Sequence, residues 1–379
     1  MKKIILTSLI AISCAFSSLF AFSWSGLVDN NTRLSANDDF SDIALRQGNG
    51  VYFSINTNVT DDGNFKFAAE GLYKYKFDYD FKSEKNDLKN IADCDLAKLS
   101  GNLVLDKGMI ALNVGRFKYS DFSGSVFSQV TDGAYVYYNN QKIKASVYAG
   151  YTGFLNRLNV SMVENEYSTT DQFYALCPKY IPVIADFSYK TLFESHTIGG
   201  QVEYFLPVTD DNTQKAYGTV IMNGYIGGNV AAYDAKLTLG TEKFEGIMVD
   251  AKFDAHYFAG SKTMLTAGLE YASGEQGSIK PFITLSGRSF GSSPFYNGVI
   301  VPKLAAMYSS DKLYGSLTER VIISMPKDEA KLDGFDTSLS VIYNLYSDLQ
   351  IGGNIGAYVC KEEKKMSNYY ATVKASLKF

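Results

Sequence analysis

The chain has 379 residues, a formal charge of −4 and no clustered run of Lys or Arg. A mildly acidic chain without a basic block is a poor partner for nucleic acid, because neutralising phosphates requires clustered cations. Tyr (28), Phe (25) and Gly (32) are abundant, whereas Pro (7) and Trp (1) are scarce. Aromatic and glycine residues at this density, interleaved with polar ones, suit strands whose ends lie at a membrane interface.

The first 21 residues have the order of a secretory signal peptide. Two lysines precede an apolar, uncharged run over residues 4–20, and Ala21 is a small residue directly before the expected cleavage site. We therefore expect cleavage after Ala21 and a secreted mature chain, residues 22–379. A lipoprotein signal ending at Cys14 is the alternative, but the apolar run continues well past that cysteine.

The rest of the chain carries few features of a cofactor site. Cys94, Cys177 and Cys360 are far apart, have no metal-binding spacing and could form at most one disulfide. We therefore expect no cofactor. No stretch after residue 21 holds about 18 consecutive apolar residues, so the sequence predicts no transmembrane helix.

Segments of about ten residues with alternating apolar and polar side chains recur along the chain. Ile143, Ala145 and Val147, for example, alternate with Lys144 and Ser146. Residues 182–193 also resemble a strand, but including them makes the number odd, so we expect 155–195 to be one long outer loop. We count eighteen strands, and a barrel of sixteen strands is the alternative. The eighteen predicted strands lie near 22–33, 49–59, 64–80, 95–106, 108–119, 132–139, 141–154, 196–207, 217–228, 231–242, 244–257, 262–273, 278–289, 299–309, 312–325, 333–346, 349–360 and 367–379.

Short turns such as 106–108 and 139–140 largely alternate with long polar connections such as 34–48, 81–94 and 120–131. This alternation is typical of a barrel with tight turns at one end and longer loops at the other. The predicted fold is therefore all-β: a single transmembrane antiparallel up-and-down β-barrel of about 16 to 18 strands. A secreted β-sandwich or β-helix is the alternative.

The chain ends on a strictly alternating segment, Y-Y-A-T-V-K-A-S-L-K-F, with Tyr369, Val373, Leu377 and Phe379 on its apolar face. This segment resembles the assembly signal of bacterial outer-membrane barrels, and the resemblance to porin-type proteins covers essentially the whole chain. It implies an outer-membrane channel of a diderm bacterium that is not an enzyme. Its implied partners are outer-membrane lipid, the barrel assembly machinery and small hydrophilic solutes, with a homotrimer as one candidate assembly.

Sixteen to eighteen strands enclose an aqueous bore, so passive diffusion of small hydrophilic solutes or ions is the expected function. Charges inside a water-filled bore stay solvated and tune ion preference by their field. The candidate charged residues on the polar face are Lys142, Lys144, Glu203, Lys236, Lys252, Asp254 and Glu270.

Residues 115–133, G-R-F-K-Y-S-D-F-S-G-S-V-F-S-Q-V-T-D-G, resemble a segment of several substrate-selective porin families. In many general porins one such loop folds into the bore. The resemblance makes residues 120–131 a constriction candidate, with Arg116, Lys118 and Asp121 near its neck. Strand parity puts Arg116 on the apolar face, so we expect a bulge or a snorkelling side chain there. Loop 155–195 is an equal rival for the constriction.

Two other functions stay open at this point. Asp78 with Asp80, and Asp254 with His256, resemble the aspartate pair and the Asp-His pair that omptin proteases use to activate water. Omptin barrels, however, have ten long strands, fewer than this chain predicts. Long outer loops would also suit a surface-exposed adhesin or a structural barrel.

Overall fold

A computed structural model describes residues 22–160, 162, 173–210, 212–228, 230–287, 289–325, 329–361 and 367–379. The predicted signal peptide, residues 1–21, lies outside this range. Within the described residues no helix is long and apolar enough to cross a membrane. The strands are β1 (Phe22–Asn37), β2 (Ile43–Asn58), β3 (Phe65–Asp80), β4 (Lys85–Leu105), β5 (Gly108–Ser120), β6 (Ser128–Asn139), β7 (Ile143–Tyr151), β8 (Tyr180–Leu192), β9 (His196–Pro207), β10 (Lys215–Ile226), β11 (Ala231–Glu242), β12 (Glu245–Phe258), β13 (Thr263–Ala272), β14 (Val299–Ser309), β15 (Leu313–Ser324), β16 (Lys331–Asn344), β17 (Leu349–Cys360) and β18 (Asn368–Lys378).

These strands form one closed sheet in which each strand pairs antiparallel with its neighbours in sequence. Closure is made by β1 and β18, which pair in register from Leu27 opposite Lys378 to Asn37 opposite Asn368. Phe379 extends this contact, because its N–H and C=O exchange hydrogen bonds with Gly26 at 3.0 and 2.7 Å. A closed sheet leaves no unpaired edge, which is what a strand-built membrane protein requires. The predicted all-β antiparallel barrel is confirmed.

Side chains alternate between the outside of the barrel and its bore, as the sequence pattern predicts. On β9 and β10, Val202 and Val220 point outwards and are 63% and 54% exposed. Gln201 and Thr219, one position earlier on each strand, point inwards and are buried. The outer surface is therefore the apolar one, and the polar residues lie inside.

The expected strand count of eighteen is correct, but two of the predicted segments were wrong. Residues 180–192, expected within a long outer loop, form β8 and pair with β7 and β9. Residues 278–289, expected to be a strand, belong to the connection between β13 and β14. That segment is apolar because Phe282 and Leu285 are buried against other parts of the barrel, not because it lies in the sheet.

The first two outer connections are shorter than predicted. β1 continues to Asn37 and β2 begins at Ile43, and β4 begins at Lys85, so only residues 38–42 and 81–84 remain as loops. The predicted loops 34–48 and 81–94 were therefore wrong, because β1, β2 and β4 continue through these polar residues, and some of them, such as Arg46 and Lys89, face the bore. The greater length of β1, β2 and β4 places several charged residues on the barrel wall.

Candidate functional site: a bore narrowed by inward-folding loops

Described residues of three outer connections reach the inner wall: the β5–β6 loop (121–127), the β7–β8 loop (152–160 and 173–179) and the β13–β14 loop (273–287 and 289–298). The β5–β6 loop is shaped by Asp121, whose Oδ2 accepts hydrogen bonds from Ser123 Oγ at 2.6 Å and from the N–H groups of Val126 and Phe127 at 3.1 and 3.2 Å. A carboxylate that bridges its own loop in this way fixes a tight turn.

The β5–β6 loop folds into the bore rather than out into solvent. Phe122 N–H donates to Gln201 Oε1 of β9 at 2.6 Å, and Lys236 Nζ of β11 donates to Ser123 O at 3.5 Å. Since β9 and β11 lie on the barrel wall well away from β5 and β6, these contacts place the loop across part of the bore. Of residues 120–131 only 121–127 form the loop, and the constriction of the bore by this segment stays a prediction.

The Glu203 carboxyl lies behind this loop, near the Asp121 carboxyl. Glu203 is 2% exposed, and neither of its carboxyl oxygens has a hydrogen-bond partner among the described residues. Burial raises the pKa of Asp121 above its usual range. Glu203 was predicted to line the pore, but the loop covers it, so it anchors the loop instead.

The β13–β14 loop meets the β5–β6 loop inside the barrel. The N–H groups of Leu285 and Ser286 donate to Val126 O at 2.9 and 3.2 Å, and Ser286 Oγ accepts from Ser128 N–H at 2.8 Å. Further along the loop, Ser292 N–H donates to Asp336 Oδ2 of β16 at 2.7 Å. The two loops are thus joined, and together they span much of the bore.

Aromatic side chains fill the space between these loops and the wall. Phe127 packs edge-on against Phe205 at 5.6 Å between ring centroids, Phe205 against Tyr217 at 5.9 Å and Tyr217 against Phe282 at 6.1 Å. The Tyr217 hydroxyl also donates to Ile283 O at 2.8 Å. Edge-to-face aromatic packing is directional, so this row, which we call the aromatic row, holds both loops in one position.

The β7–β8 loop enters the bore on the opposite side. Asn159 accepts from Lys74 Nζ of β3 at 2.6 Å and donates to Asp93 and Asp95 of β4 at 2.9 and 2.6 Å. Lys76 Nζ adds a bond to Leu158 O at 2.9 Å. Only part of the predicted loop 155–195 therefore acts as a loop, and its described residues cover the β3–β4 wall.

Arg116 lies at a seam in the barrel rather than in the bore. The pairing of β4 with β5 ends at Ala97 opposite Arg116. From there towards the outer loops the two strands separate. The Arg116 guanidinium fills the gap: it donates to Asp132 at 2.7 Å, to Asp93 at 3.1 Å and to backbone oxygens of β4 and the β7–β8 loop. Gly115 has a φ of 115°, but the registers of β5 with β4 and β6 run through it without a bulge, so the alternative of a bulge at Arg116 was wrong.

The other predicted pore residues are dispersed. Lys118 is exposed on the outer side of β5, and Lys142 lies in the turn before β7. Lys252 and Asp254 face inwards but form a four-membered network with Glu270 and Lys303, in which the Lys303–Asp254 distance is 2.8 Å. Because this network is internally neutralised, it contributes little field to the bore. Lys144 faces inwards on β7 beside Asp186.

Sequence reasoning missed a group of cations on the inner face of β1 to β4, which we call the basic wall: Arg33, Arg46, Lys74, Lys76 and Lys89. Arg33 lies directly opposite Arg46, and Lys76 lies directly opposite Lys89. Like charges at directly opposed positions of a sheet destabilise each other. Lys89 is also 2.8 Å from Asp87, so the Arg33–Arg46 pair is the place where a bound anion would most relieve repulsion.

The surroundings of the basic wall hold its cations in place and leave room beside them. The Arg33 guanidinium lies 4.2 Å from the centroid of the Tyr370 ring, and Lys74 lies 5.5 Å from that of Tyr52. Gly48, two residues after Arg46 on β2, has only the backbone oxygen of Asn31, at 4.0 Å, near the place where a side chain would begin. Arg46 is 3.8 Å from Asp78, an exposed contact that neutralises it only weakly.

The four residues that resemble an omptin site do not come together. Asp78 and Asp80 lie on β3 and Asp254 and His256 lie on β12, on opposite sides of the barrel. Asp254 binds Lys303, and His256 contacts Thr266 at 2.9 Å and Asp234 at 3.5 Å. No cluster of three or more metal-ligating side chains occurs within the described ranges.

Comparison with solved structures places this architecture among known barrels. The chain resembles Pseudomonas aeruginosa OccK7 (OpdD) with a TM-score of 0.67 and 12% identity, over 96% of this chain and 99% of the other. It resembles OccK2 (OpdF) of the same organism, solved in complex with glucuronate, with a TM-score of 0.62 and 14% identity over 94% and 98%. The chain has the fold of a porin-type barrel.

A third neighbour comes from another bacterium. Acinetobacter baumannii OccAB4 matches with a TM-score of 0.58 and 12% identity, over 94% of this chain and 98% of that one. No protein-family model and no curated protein sequence matches the chain. At these identities the likeness establishes the fold, and the function must be argued from the bore itself.

Proposed function

We propose that this protein is an outer-membrane channel for passive diffusion of small hydrophilic solutes, with a preference for anions. The observation that carries the proposal is the basic wall beside a bore narrowed by inward-folding loops. A wide eighteen-stranded barrel encloses an aqueous channel, and charged side chains at its narrow part select ions by their field.

The directly opposed cations indicate the class of solute. Arg33 and Arg46 present planar guanidinium groups that match a carboxylate in two-point hydrogen bonding. The neighbouring aromatic rings of Tyr52 and Tyr370 offer an apolar face for the rest of a small organic acid. One structural neighbour was solved with glucuronate, a sugar acid, which supports the same class of solute for this chain.

The remaining expected partners follow from the outer surface. Its apolar side chains would contact outer-membrane lipid. Tyr369, Val373, Leu377 and Phe379 lie on the outer face of the closing strand, where the barrel assembly machinery would recognise them; Val373 is 61% exposed and Phe379 57%. We propose no cofactor, since diffusion down a gradient requires none.

A current-block experiment tests the proposal. Single channels of the refolded protein in a planar bilayer would be titrated with glucuronate and, as a matched neutral solute, with glucose. We expect glucuronate to block the current at concentrations where glucose does not, and the block to weaken in Arg33→Gln and Arg46→Gln. Equal block by the two solutes would contradict the anion preference, and absence of current from folded protein would contradict the channel.

A further inference from the structure

The inner wall formed by β16, β17, β18 and β1 contains a cavity beside the basic wall. Val28 is 41% exposed on the outer side of β1. By strand alternation Asp29, Asn31 and Arg33 therefore face the bore. The cavity encloses about 270 Å³, close to the lower limit for small-molecule sites. Hydroxyl and amide side chains make up most of its inward-facing lining, and we call it the polar niche: Asn31, Ser340, Gln350, Asn354 and Ser376.

The register of the strands places the polar niche next to Arg33. Arg33 lies opposite Thr372 of β18, and Thr372 lies opposite Asn354 of β17. Asn354 in turn lies opposite Ser340 of β16, so these residues occupy one level of the inner wall. Because neighbouring strands are about 4.8 Å apart, Asn354 is about 10 Å from Arg33 along the wall. A hexose-sized acid held between the two side chains would span this distance.

Several polar atoms in and beside the polar niche have no partner. Asn354 Oδ1 and Asp29 Oδ1 are buried and make no hydrogen bond to any described residue. Asp29 Oδ1 lies where a side chain at Gly50 would begin, so the glycine leaves room for this carboxylate. Arg33 Nε, at the edge of the niche, is a buried donor that also has no partner within the described ranges. A buried polar group without a hydrogen bond is costly, and a bound solute with matching groups removes that cost.

The chemistry of the polar niche differs from that of the basic wall. Its described lining carries one acid, Asp29, and one base, Lys374, so its formal charges balance. The amide and hydroxyl groups around them are donors and acceptors at once, as is each hydroxyl of a sugar. Arg33 and Arg46, by contrast, only donate and carry positive charge. The inner wall therefore has a cationic part suited to a carboxylate and a neutral part suited to hydroxyl groups.

We propose that the polar niche binds the hydroxyl groups of a sugar acid whose carboxylate contacts Arg33 and Arg46. This inference rests on the proposed function and narrows its solute from small anions to polyhydroxylated carboxylates. An acid without hydroxyl groups would displace water from the niche without replacing the hydrogen bonds of that water, which lowers affinity. A neutral sugar would lack the group that the arginines bind. Only a solute with both features uses both parts of the wall.

The test measures block of single-channel current by glucuronate, by cyclohexanecarboxylate, which is a ring acid without hydroxyl groups, and by glucose. The variants are Asn354→Ala and, at the facing position of β16, Ser340→Ala. Asn223→Ala is the matched control: Thr219 of β10 faces inwards, so by alternation Asn223 is an inward amide on a distant part of the wall. Heat-modified gel mobility and the open-channel current in KCl verify that each variant is folded.

We expect glucuronate to block the unaltered protein and the control at lower concentrations than cyclohexanecarboxylate does. Asn354→Ala should weaken the glucuronate block about fivefold, as the loss of one hydrogen bond implies, and leave the cyclohexanecarboxylate block unchanged. Equal block of the unaltered protein by the two acids, both stronger than glucose, would overturn the inference and leave the anion preference intact. So would a glucuronate block that neither variant weakens. If neither acid blocks better than glucose, the inference fails together with the proposed function.

Discussion

Asp121 and Glu203 place two buried carboxyl groups near each other, one in a loop inside the bore and one on the barrel wall. Two carboxylates cannot both be ionised at contact distance without a cation between them, so the pair is expected to share a proton. Tyr119 and Asp186 lie nearby, and Lys236 contacts the same loop through Ser123 O. The position of the β5–β6 loop should therefore respond to pH.

The direction of this response follows from the raised pKa of Asp121. An acid whose pKa is raised in the docked loop binds its proton more tightly there, so docking is favoured at low pH. It weakens as pH rises above the usual carboxyl range of about 4. We expect open-channel noise to increase with pH in the unaltered protein and to depend less on pH in Glu203→Gln, where Asp121 stays buried but loses the neighbouring acid. Glu245→Gln, at an exposed carboxylate, is the control, and a pH dependence as strong in Glu203→Gln as in the control would refute the assignment.

The aromatic row should determine how rigidly the bore is narrowed. Phe282→Ala removes a fully buried ring at the point where the β13–β14 loop meets Tyr217. Such truncations cost about 3–5 kcal/mol of local packing. Single-channel recording should show larger and less steady current steps. Tyr296→Ala, at a 61% exposed position of the same loop, should leave the steps unchanged. Identical recordings from the two variants would argue against a role for the row.

Arg116 should affect barrel stability more than conductance. Arg116→Ala leaves Asp93 and Asp132 without their cation at the β4–β5 seam. Removing one partner of a buried ion pair costs about 3 kcal/mol or more. The free energy of unfolding in detergent micelles should fall by that amount, whereas Lys118→Ala, at the exposed position two residues later, should change it little. A stable Arg116→Ala protein with altered conductance would instead support the role predicted from sequence.

The thiol of Cys177 should be inert in the folded protein. It is 3% exposed in the β7–β8 loop, and burial raises its pKa to about 12. The thiolate is the reactive form, so a maleimide at pH 8 should not modify it until the barrel unfolds. Mass spectrometry of a Cys94→Ser, Cys360→Ser background would measure this. Rapid modification of folded protein would show that the loop does not cover the thiol.

The barrel itself could be predicted because its signal is local. Alternation such as Val147 outside and Ser146 inside depends on the bilayer and the bore, not on distant residues. The errors in strand assignment arose where apolar residues are buried inside the barrel and do not face lipid. Phe282 and Leu285 resemble strand residues because they pack inside the barrel. With residues 278–289 counted as a strand, the segment that forms β8 makes the number of strands odd and puts long and short loops on the wrong sides, which is why sequence alone favours a loop there.

The basic wall was harder to predict because it depends on register. Arg46 fell in a predicted loop, since β2 was expected to begin at residue 49. Only when β2 is extended to Ile43 does Arg46 lie opposite Arg33. Arg116, in contrast, was a candidate because residues 115–133 resemble a porin segment, and the structure places it instead in a gap between β4 and β5 that no local pattern shows. Lys252 and Asp254 were correctly placed inside, but their neutralising partner Lys303 lies on another strand.

The anion preference of the bore is the central claim, and a reversal potential across a tenfold KCl gradient tests it most directly. We predict that the unaltered protein reverses with the sign set by chloride, and that Arg33→Gln with Arg46→Gln shifts the potential towards that of potassium. Lys252→Gln, within the neutralised network, should shift it less. A reversal potential set by potassium in the unaltered protein would contradict the account.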